Sequence, residues 1–166
     1  MNPVRLARAE IAALQGYRSA RQEAPASGRL LNANENPYPP PNDPGWALNR
    51  YPEPQPQALL QRLAELYRVQ AEQLLVSRGS DEAIDLLVRT FCQPGRDRVA
   101  WCPPTFGMYA VAAAIQGAEA TPISLGPPPG WRLPFDALVA AQPRLTFLCS
   151  PNNPTGHSLA SEEVLE

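Results

Sequence analysis

An α/β fold built on a mostly parallel sheet is what these 166 residues predict. Three observations predict it. Short apolar runs alternate with segments of helical periodicity. Glycine- or proline-marked turns separate the two. The run Leu145-Thr146-Phe147-Leu148-Cys149 is almost wholly apolar, as a strand covered on both faces is.

In chain order, Val4 to Leu14 carries Ala7, Ile11 and Leu14 on one face and predicts a first helix, ended by Gly16. Ala24 to Gly28 reads as a flexible connection. Leu30 to Pro37, followed by Tyr38 and three more prolines, reads as an extended arm, and Arg50-Tyr51-Pro52-Glu53-Pro54 is extended too. Pro56 opens a helix whose apolar stripe is Leu59, Leu60, Leu63, Leu66 and Tyr67.

Leu74 to Ser77 reads as a short buried strand that breaks at Gly79, where the missing Cβ allows a tight turn. Ser80 suits a helix N-cap, and Asp81 and Glu82 complement the dipole in the first turn. Ile84, Leu87, Val88 and Phe91 continue the helix on one face. Val99 to Cys102 predicts a second strand, Met108 to Gln116 a helix ended by Gly117, and Thr121 to Leu125 a third strand weakened by Pro122. A proline-rich turn, a short helix around Phe135, Leu138 and Val139, and the strand 145–149 follow. Ser161 suits a last helix, with Glu162 and Glu163 in its first turn.

Composition narrows the function. The net charge of −2 offers no basic surface for nucleic acid. No apolar run reaches the roughly 18 residues that span a bilayer, and no apolar segment behind Arg5 and Arg8 suggests secretion. The three cysteines, Cys92, Cys102 and Cys149, are odd in number and lack metal-ligand spacing, so they read as reduced, buried thiols of a cytosolic protein. The 21 prolines cluster between the periodic segments, as rigid loops do.

Ligands of parallel α/β sheets lie beyond the carboxyl ends of the strands. Three features fall there: Gly79-Ser80-Asp81, Pro103 to Gly107, and Asn152-Asn153. The free N–H groups of a helix start suit an anion, commonly a phosphate, although a capped helix that binds nothing has the same pattern. Phe106 taken alone reads equally as a core ring, and Asn153 as an Asx turn before Pro154. Tyr17 and Tyr51 read alone as surface aromatics, and His157 as a loop residue.

Four segments in order, Arg50-Tyr51-Pro52-Glu53, Ser77 to Glu82, Cys102 to Tyr109 and Ser150 to Gly156, resemble the histidinol-phosphate aminotransferases. Leu31 to Pro37 and Tyr17-Arg18-Ser19-Ala20-Arg21 match that family's N-terminal arm. The resemblance implies a fold-type-I transferase with pyridoxal 5'-phosphate as cofactor and a three-layer, mostly parallel sheet. Residues 1–55 would be helix and arm, and 56–166 the first part of the cofactor-binding major domain. It also implies a cytoplasmic homodimer acting on histidinol phosphate and 2-oxoglutarate in histidine biosynthesis.

The same resemblance implies the roles. Backbone N–H groups of Ser80 and Asp81, beside Gly79, hold the cofactor phosphate. Phe106, where the family usually has tyrosine, stacks on the pyridine ring. Asn153 donates to the ring oxygen O3′. Tyr51 reaches the phosphate in the partner subunit, and Tyr17 lies near substrate across the dimer.

All 14 basic residues are arginine. The family's reaction needs a lysine that anchors the cofactor covalently and moves the substrate proton. Its Asp-x-Ala-Tyr strand, Ser-Lys loop and substrate-binding arginines are absent here as well. The chain is therefore expected to be the N-terminal part of such an enzyme, inactive alone, with 74–77 and 145–149 each short of a strand neighbour. The isolated chain is expected to be unstable or to aggregate. Threonine-phosphate decarboxylases and aromatic aminotransferases share the arm and loops, and a non-catalytic phosphate-binding or dimerisation module would need no lysine.

Overall fold

The computed structural model describes residues 3–17, 29, 31 and 33–165. Arg18 to Arg21, the 24–28 connection, Leu30 and Asn32 lie outside the described residues. The chain forms two compact units, one of Met1–Leu14 with Ser77–Glu166 and one of Gln15–Val76.

The first unit holds the sheet. Strands β1 (Arg98–Trp101), β2 (Glu119–Pro122) and β3 (Leu145–Phe147) pair in parallel in the order β2-β1-β3. β1 is central, so both of its edges are paired, and both of its faces are covered as well. Val99 and Trp101 enter one core cluster, and Ala100 and Cys102 the other.

Numbered in chain order, the helices are α1 (Ala9–Ala12), α2 (Gln57–Tyr67), α3 (Ser80–Phe91), α4 (Met108–Gln116), α5 (Phe135–Ala141) and α6 (Ser161–Leu165). The first cluster joins Ile84, Val88 and Cys92 with Tyr109, Ala112 and Ala113, so α3 and α4 cover that face. Leu138 of α5 packs on the other. Helix pair, sheet and helix are the three layers the alternating pattern predicts.

β2 starts earlier than expected. Glu119 pairs with Arg98 at 3.1 Å on an exposed edge, where a charged residue is tolerated. Pairing also outlasts the strand, because Ile123 and Leu125 donate N–H bonds to Trp101 and Pro103. β3 ends at Phe147 because β1 has by then run into prolines, which have no N–H to give. Its residues are half-buried rather than fully covered, as on a strand with one neighbour.

Two expected elements are corrected. Val4 to Leu14 is not one helix. A 3-10 turn over Pro3–Leu6 and the four-residue α1 replace it. The break falls where the Arg8 N–H donates to the carbonyl of Thr90 at 2.9 Å instead of continuing a helix. Leu74 to Ser77 is not a buried strand. Leu74 is extended, at φ −111 and ψ 140, but among the described residues no strand pairs with the segment, and Leu75 is 63% exposed. The side-chain amide of Gln55 takes the place of a ladder neighbour. It accepts from the Val76 N–H at 2.8 Å and donates to the Val76 carbonyl at 2.9 Å.

In the second unit α2 begins after Pro56, whose carbonyl accepts from Leu60, while Glu53 accepts from the Gln57 N–H. Only Leu60 of its stripe is buried; Leu66 and Tyr67 are exposed, as are Tyr38, Trp46 and Leu48 of the arm.

Candidate functional site

Three loops meet the same edge of the sheet. Strand direction puts the segments after Trp101 and Phe147 at the carboxyl edge. The place of α3 follows from its far end. There Arg144, next to the start of β3, donates from Nε to the Phe91 carbonyl at 3.2 Å. Gln116, shortly before β2, donates from Nε2 to the Cys92 carbonyl at 3.0 Å. The C-terminus of α3 is thus at the amino edge, so α3 runs against the strands and Gly79, Ser80 and Asp81 lie at the carboxyl edge.

The helix start differs in detail from the sequence expectation. Gly79, not Ser80, is the N-cap, and Ser80 is the first helical residue. Gly79 sits at φ +102 and ψ 175, a conformation essentially reserved for glycine. No side chain caps the helix, so the N–H groups of its first turn keep their capacity for an external acceptor. The Ser77 hydroxyl donates instead to the Gly79 carbonyl at 2.9 Å.

Glu82, a carboxylate of the first turn, is turned back onto Arg78. It accepts from Arg78 Nη2 at 2.7 Å, from Nε at 3.2 Å and from the backbone N–H at 2.6 Å. The Arg78 side chain first, then its backbone N–H, hold this carboxyl below the ordinary range. A lowered folded-state value stabilises above the unfolded value of about 4.3, and the effect is lost as pH falls through the folded one. Glu82→Gln is therefore expected to melt slightly below the parent at neutral pH and to converge with it in acid. Melting curves that stay parallel down to acid pH would show that the pair contributes nothing.

Phe106 is half-buried at the edge of the α3–α4 core. Its ring meets that of Tyr109 edge-on, with centroids 5.9 Å apart, and Tyr109 stacks on Phe147 at 4.7 Å and 9°. The ring that the loop offers is thus buttressed through α4 to β3.

The two asparagines of the last loop behave differently. Asn153 is exposed. Asn152, which sequence reasoning placed at the edge without a role of its own, is 5% exposed. Its Nδ2 donates to the Pro104 carbonyl and to Thr155 Oγ1, both at 2.8 Å, and its Oδ1 accepts from Thr105 Oγ1 at 2.7 Å. The loop after β1 and the loop after β3 are joined through this one amide. The sequence signal was the doubled asparagine before proline, which supplies two amides without saying which is buried. A small hollow behind it, lined by Cys102, Thr105, Leu148, Asn152 and His157, does not include Ser80, Phe106 or Asn153.

Tyr51 and Tyr17 belong to the other unit, with exposures of 63% and 89%. The Tyr51 N–H donates to Glu35 Oε1 at 2.7 Å, and Arg50 pairs with Oε2 of the same carboxylate at 3.0 Å. Glu35, whose side chain is 2% exposed, thereby fixes the Arg50-Tyr51 backbone. Among the described residues, no group of three or more His, Cys, Asp or Glu side chains could hold a metal ion, and no helix is long and apolar enough to cross a membrane.

The cysteines are free, with Cys92 and Cys102 buried and Cys149 half-buried. Burial, and for Cys92 also the charge of Asp97, pushes the first two thiols up to about 11. Only about a thousandth of each is thiolate at pH 8. Alkylation of the native protein, read by mass spectrometry, is expected to mark Cys149 first. Equal labelling of all three would contradict the packing described for β1.

A family model described as aminotransferase class I and II matches residues 30–166. The chain is 48% identical over 164 residues to a histidinol-phosphate aminotransferase of Xanthomonas euvesicatoria, covering 96% of this chain and 45% of that protein. It thus spans about half the length of the curated relatives it matches. Among solved structures it resembles an N-succinyldiaminopimelate aminotransferase of Mycobacterium tuberculosis, with 32% identity and a TM-score of 0.64 over 71% of this chain and 34% of that one. It also resembles an L-threonine-O-3-phosphate decarboxylase of Porphyromonas gingivalis, with 28% identity and a TM-score of 0.53 over 70% and 33%.

Proposed function

The chain belongs to the class I and II aminotransferase family, and on that premise we propose that it is the N-terminal portion of a pyridoxal-phosphate enzyme that transfers an amino group between histidinol phosphate and 2-oxoglutarate. One observation carries the reading. An uncapped helix start, a buttressed aromatic ring and an exposed amide occupy a single edge of one sheet. These are the recognition elements that a phosphorylated, hydroxylated pyridine ring requires. The histidinol-phosphate aminotransferase relatives, at 48% identity, support the choice of substrate.

The residues fit the cofactor. The first-turn N–H groups at Ser80 and Asp81, exposed beside Gly79, would hold its phosphate against the positive end of the helix dipole. Phe106 would support one ring face, and Asn153 would donate to the ring oxygen. Bound pyridoxal phosphate supplies the electron sink that amino-group transfer needs. This chain's own part is to bind and orient, because the proton-moving lysine is not among its 166 residues. Tyr51 and Tyr17 are proposed to serve the cofactor phosphate and the substrate across a cytoplasmic homodimer, with 1–55 as arm and 56–166 as the start of the major domain.

The test is to read the gene past codon 166 and to express the whole frame. An Asp-x-Ala-Tyr strand, a Ser-Lys loop, a cofactor band that borohydride fixes, and turnover of histidinol phosphate in preference to phenylalanine are expected. The likeness to a threonine-phosphate decarboxylase favours a second reading, in which the same loops serve carbon dioxide release from threonine phosphate. Assaying both substrates separates the two. A frame that ends at 166 and gives no cofactor band would point instead to a non-catalytic phosphate-binding module.

Phe106 provides a graded check within the expressed enzyme. Phe106→Tyr is expected to keep cofactor affinity, since the ring remains. Phe106→Ala forfeits stacking worth about 0.5–1.5 kcal/mol, roughly two- to tenfold in the dissociation constant. Titration by fluorescence quenching measures it, and an unchanged constant would remove Phe106 from the site.

A further inference from the structure

We infer that Asn152 is a positioning residue, a buried clamp that sets the ring-bearing loop 103–107 and the amide-bearing loop 150–156 in fixed relation. The inference rests on the cofactor reading above and adds to it a residue that contacts no cofactor. Every polar group of Asn152 is engaged. Besides its three side-chain bonds to Thr105, Pro104 and Thr155, its N–H donates to the His157 carbonyl at 2.7 Å and its own carbonyl accepts from Gly156 at 2.7 Å.

Two of the three side-chain bonds cross between the loops, spanning 47 and 48 residues of the chain, and the third ties Asn152 to Thr155 within its own loop. They grip the residues immediately before Phe106 on one side and the residue immediately before Asn153 on the other. Phe106 and Asn153 each have limited freedom once their neighbours are held. The exposed pair that faces a ligand is therefore aimed by an unexposed one. An amide suits the task because it both donates and accepts. It donates to a carbonyl that has no other partner in the loop pair, and it accepts from a hydroxyl.

A carboxylate of the same shape can only accept, so Asn152→Asp sets like partial charges against each other at Pro104. Thr105→Val removes the hydroxyl bond alone, and Thr105→Ser restores it. Hydrogen exchange of the cofactor-free full-length protein reads the two loops separately, and titration with pyridoxal phosphate reads the consequence. Asn152→Asp is expected to speed exchange in both 105–107 and 153–157 at least tenfold and to weaken cofactor binding at least tenfold. Thr105→Val is expected to do both to a smaller extent, and Thr105→Ser neither. Faster exchange in 153–157 alone, or unchanged cofactor binding in Thr105→Val, would overturn the clamp. If Asn152→Asp does not fold, Thr105→Val against Thr105→Ser decides in the same way. Coupled exchange in a parent protein that binds no pyridoxal phosphate would leave the clamp standing and bring down the cofactor reading.

Discussion

Replacing Gly79 with alanine is expected to lower the stability of the expressed enzyme by about 1–3 kcal/mol. It should also weaken binding of pyridoxal phosphate roughly ten- to hundredfold. The first effect is one of backbone conformation alone. Gly79 lies at φ +102 and ψ 175, and a Cβ built on it would meet nothing within 4 Å. No clash forces a change, so the cost is that of holding an L-residue where only glycine is at ease. The chain can relieve that strain by rotating about Gly79, and the groups it then moves are the N–H vectors of Ser80 and Asp81. Losing one charge-assisted hydrogen bond to a phosphate costs about 1.5–3 kcal/mol, which sets the affinity range. Gly95→Ala serves as the control. Gly95 also has a positive φ, +67, and open space, but its N–H bonds the Gly117 carbonyl at the opposite edge of the sheet. It is expected to lose stability and keep cofactor affinity. Denaturant unfolding and cofactor titration on both variants separate the two effects; equal affinities for the two would take Gly79 out of the site.

What the sequence made legible, and what it hid, follows one physical division. β1, α4 and α5 were readable because their information is local. Apolar residues recur at one period and proline or glycine closes each run, as at Pro103-Pro104, Gly117 and Pro143. The segment 74–77 has the same local pattern as β1 and is not a strand, because strand formation depends on a neighbour. In its place Gln55 satisfies Val76, and nothing in a glutamine two residues after Glu53 announces that. The first helix failed similarly, since the Arg8 N–H goes to Thr90, far along the chain. At the site, Gly79, Phe106 and Asn153 could be named from turn chemistry and resemblance, and the direction of α3 brings their loops to one edge. Asn152 could not be distinguished from Asn153, because burial of one amide beside another is decided by the loop that crosses it.

Tyr109 carries the second large effect, and it tests whether the core and the site are one structure. Tyr109→Ala is expected to cost about 3–5 kcal/mol, the range for truncating a buried aromatic ring. That is a large share of the 5–15 kcal/mol by which an ordinary domain is stable. Tyr109→Phe keeps the ring and is expected to cost only about 0.5–1.5 kcal/mol. The hydroxyl it removes lies on a buried residue, and burial first, then the nearby Cys149 thiol, pushes its pKa up to about 12. The comparison therefore isolates the packing of the ring from the effect of its hydroxyl. The ring is 8% exposed and lies between Phe106, edge-on at 5.9 Å, and Phe147, stacked at 4.7 Å. Removing it takes away the lateral support of Phe106 as well as core volume. Cofactor affinity should thus fall in Tyr109→Ala by more than in Phe106→Tyr or Tyr109→Phe, although Tyr109 is buried behind the site. Urea unfolding with and without pyridoxal phosphate measures both quantities. If Tyr109→Ala and Tyr109→Phe unfold at the same urea concentration, the stacked ring contributes no more than its hydroxyl. The route by which β3 and α4 hold Phe106 in place would then have to be abandoned.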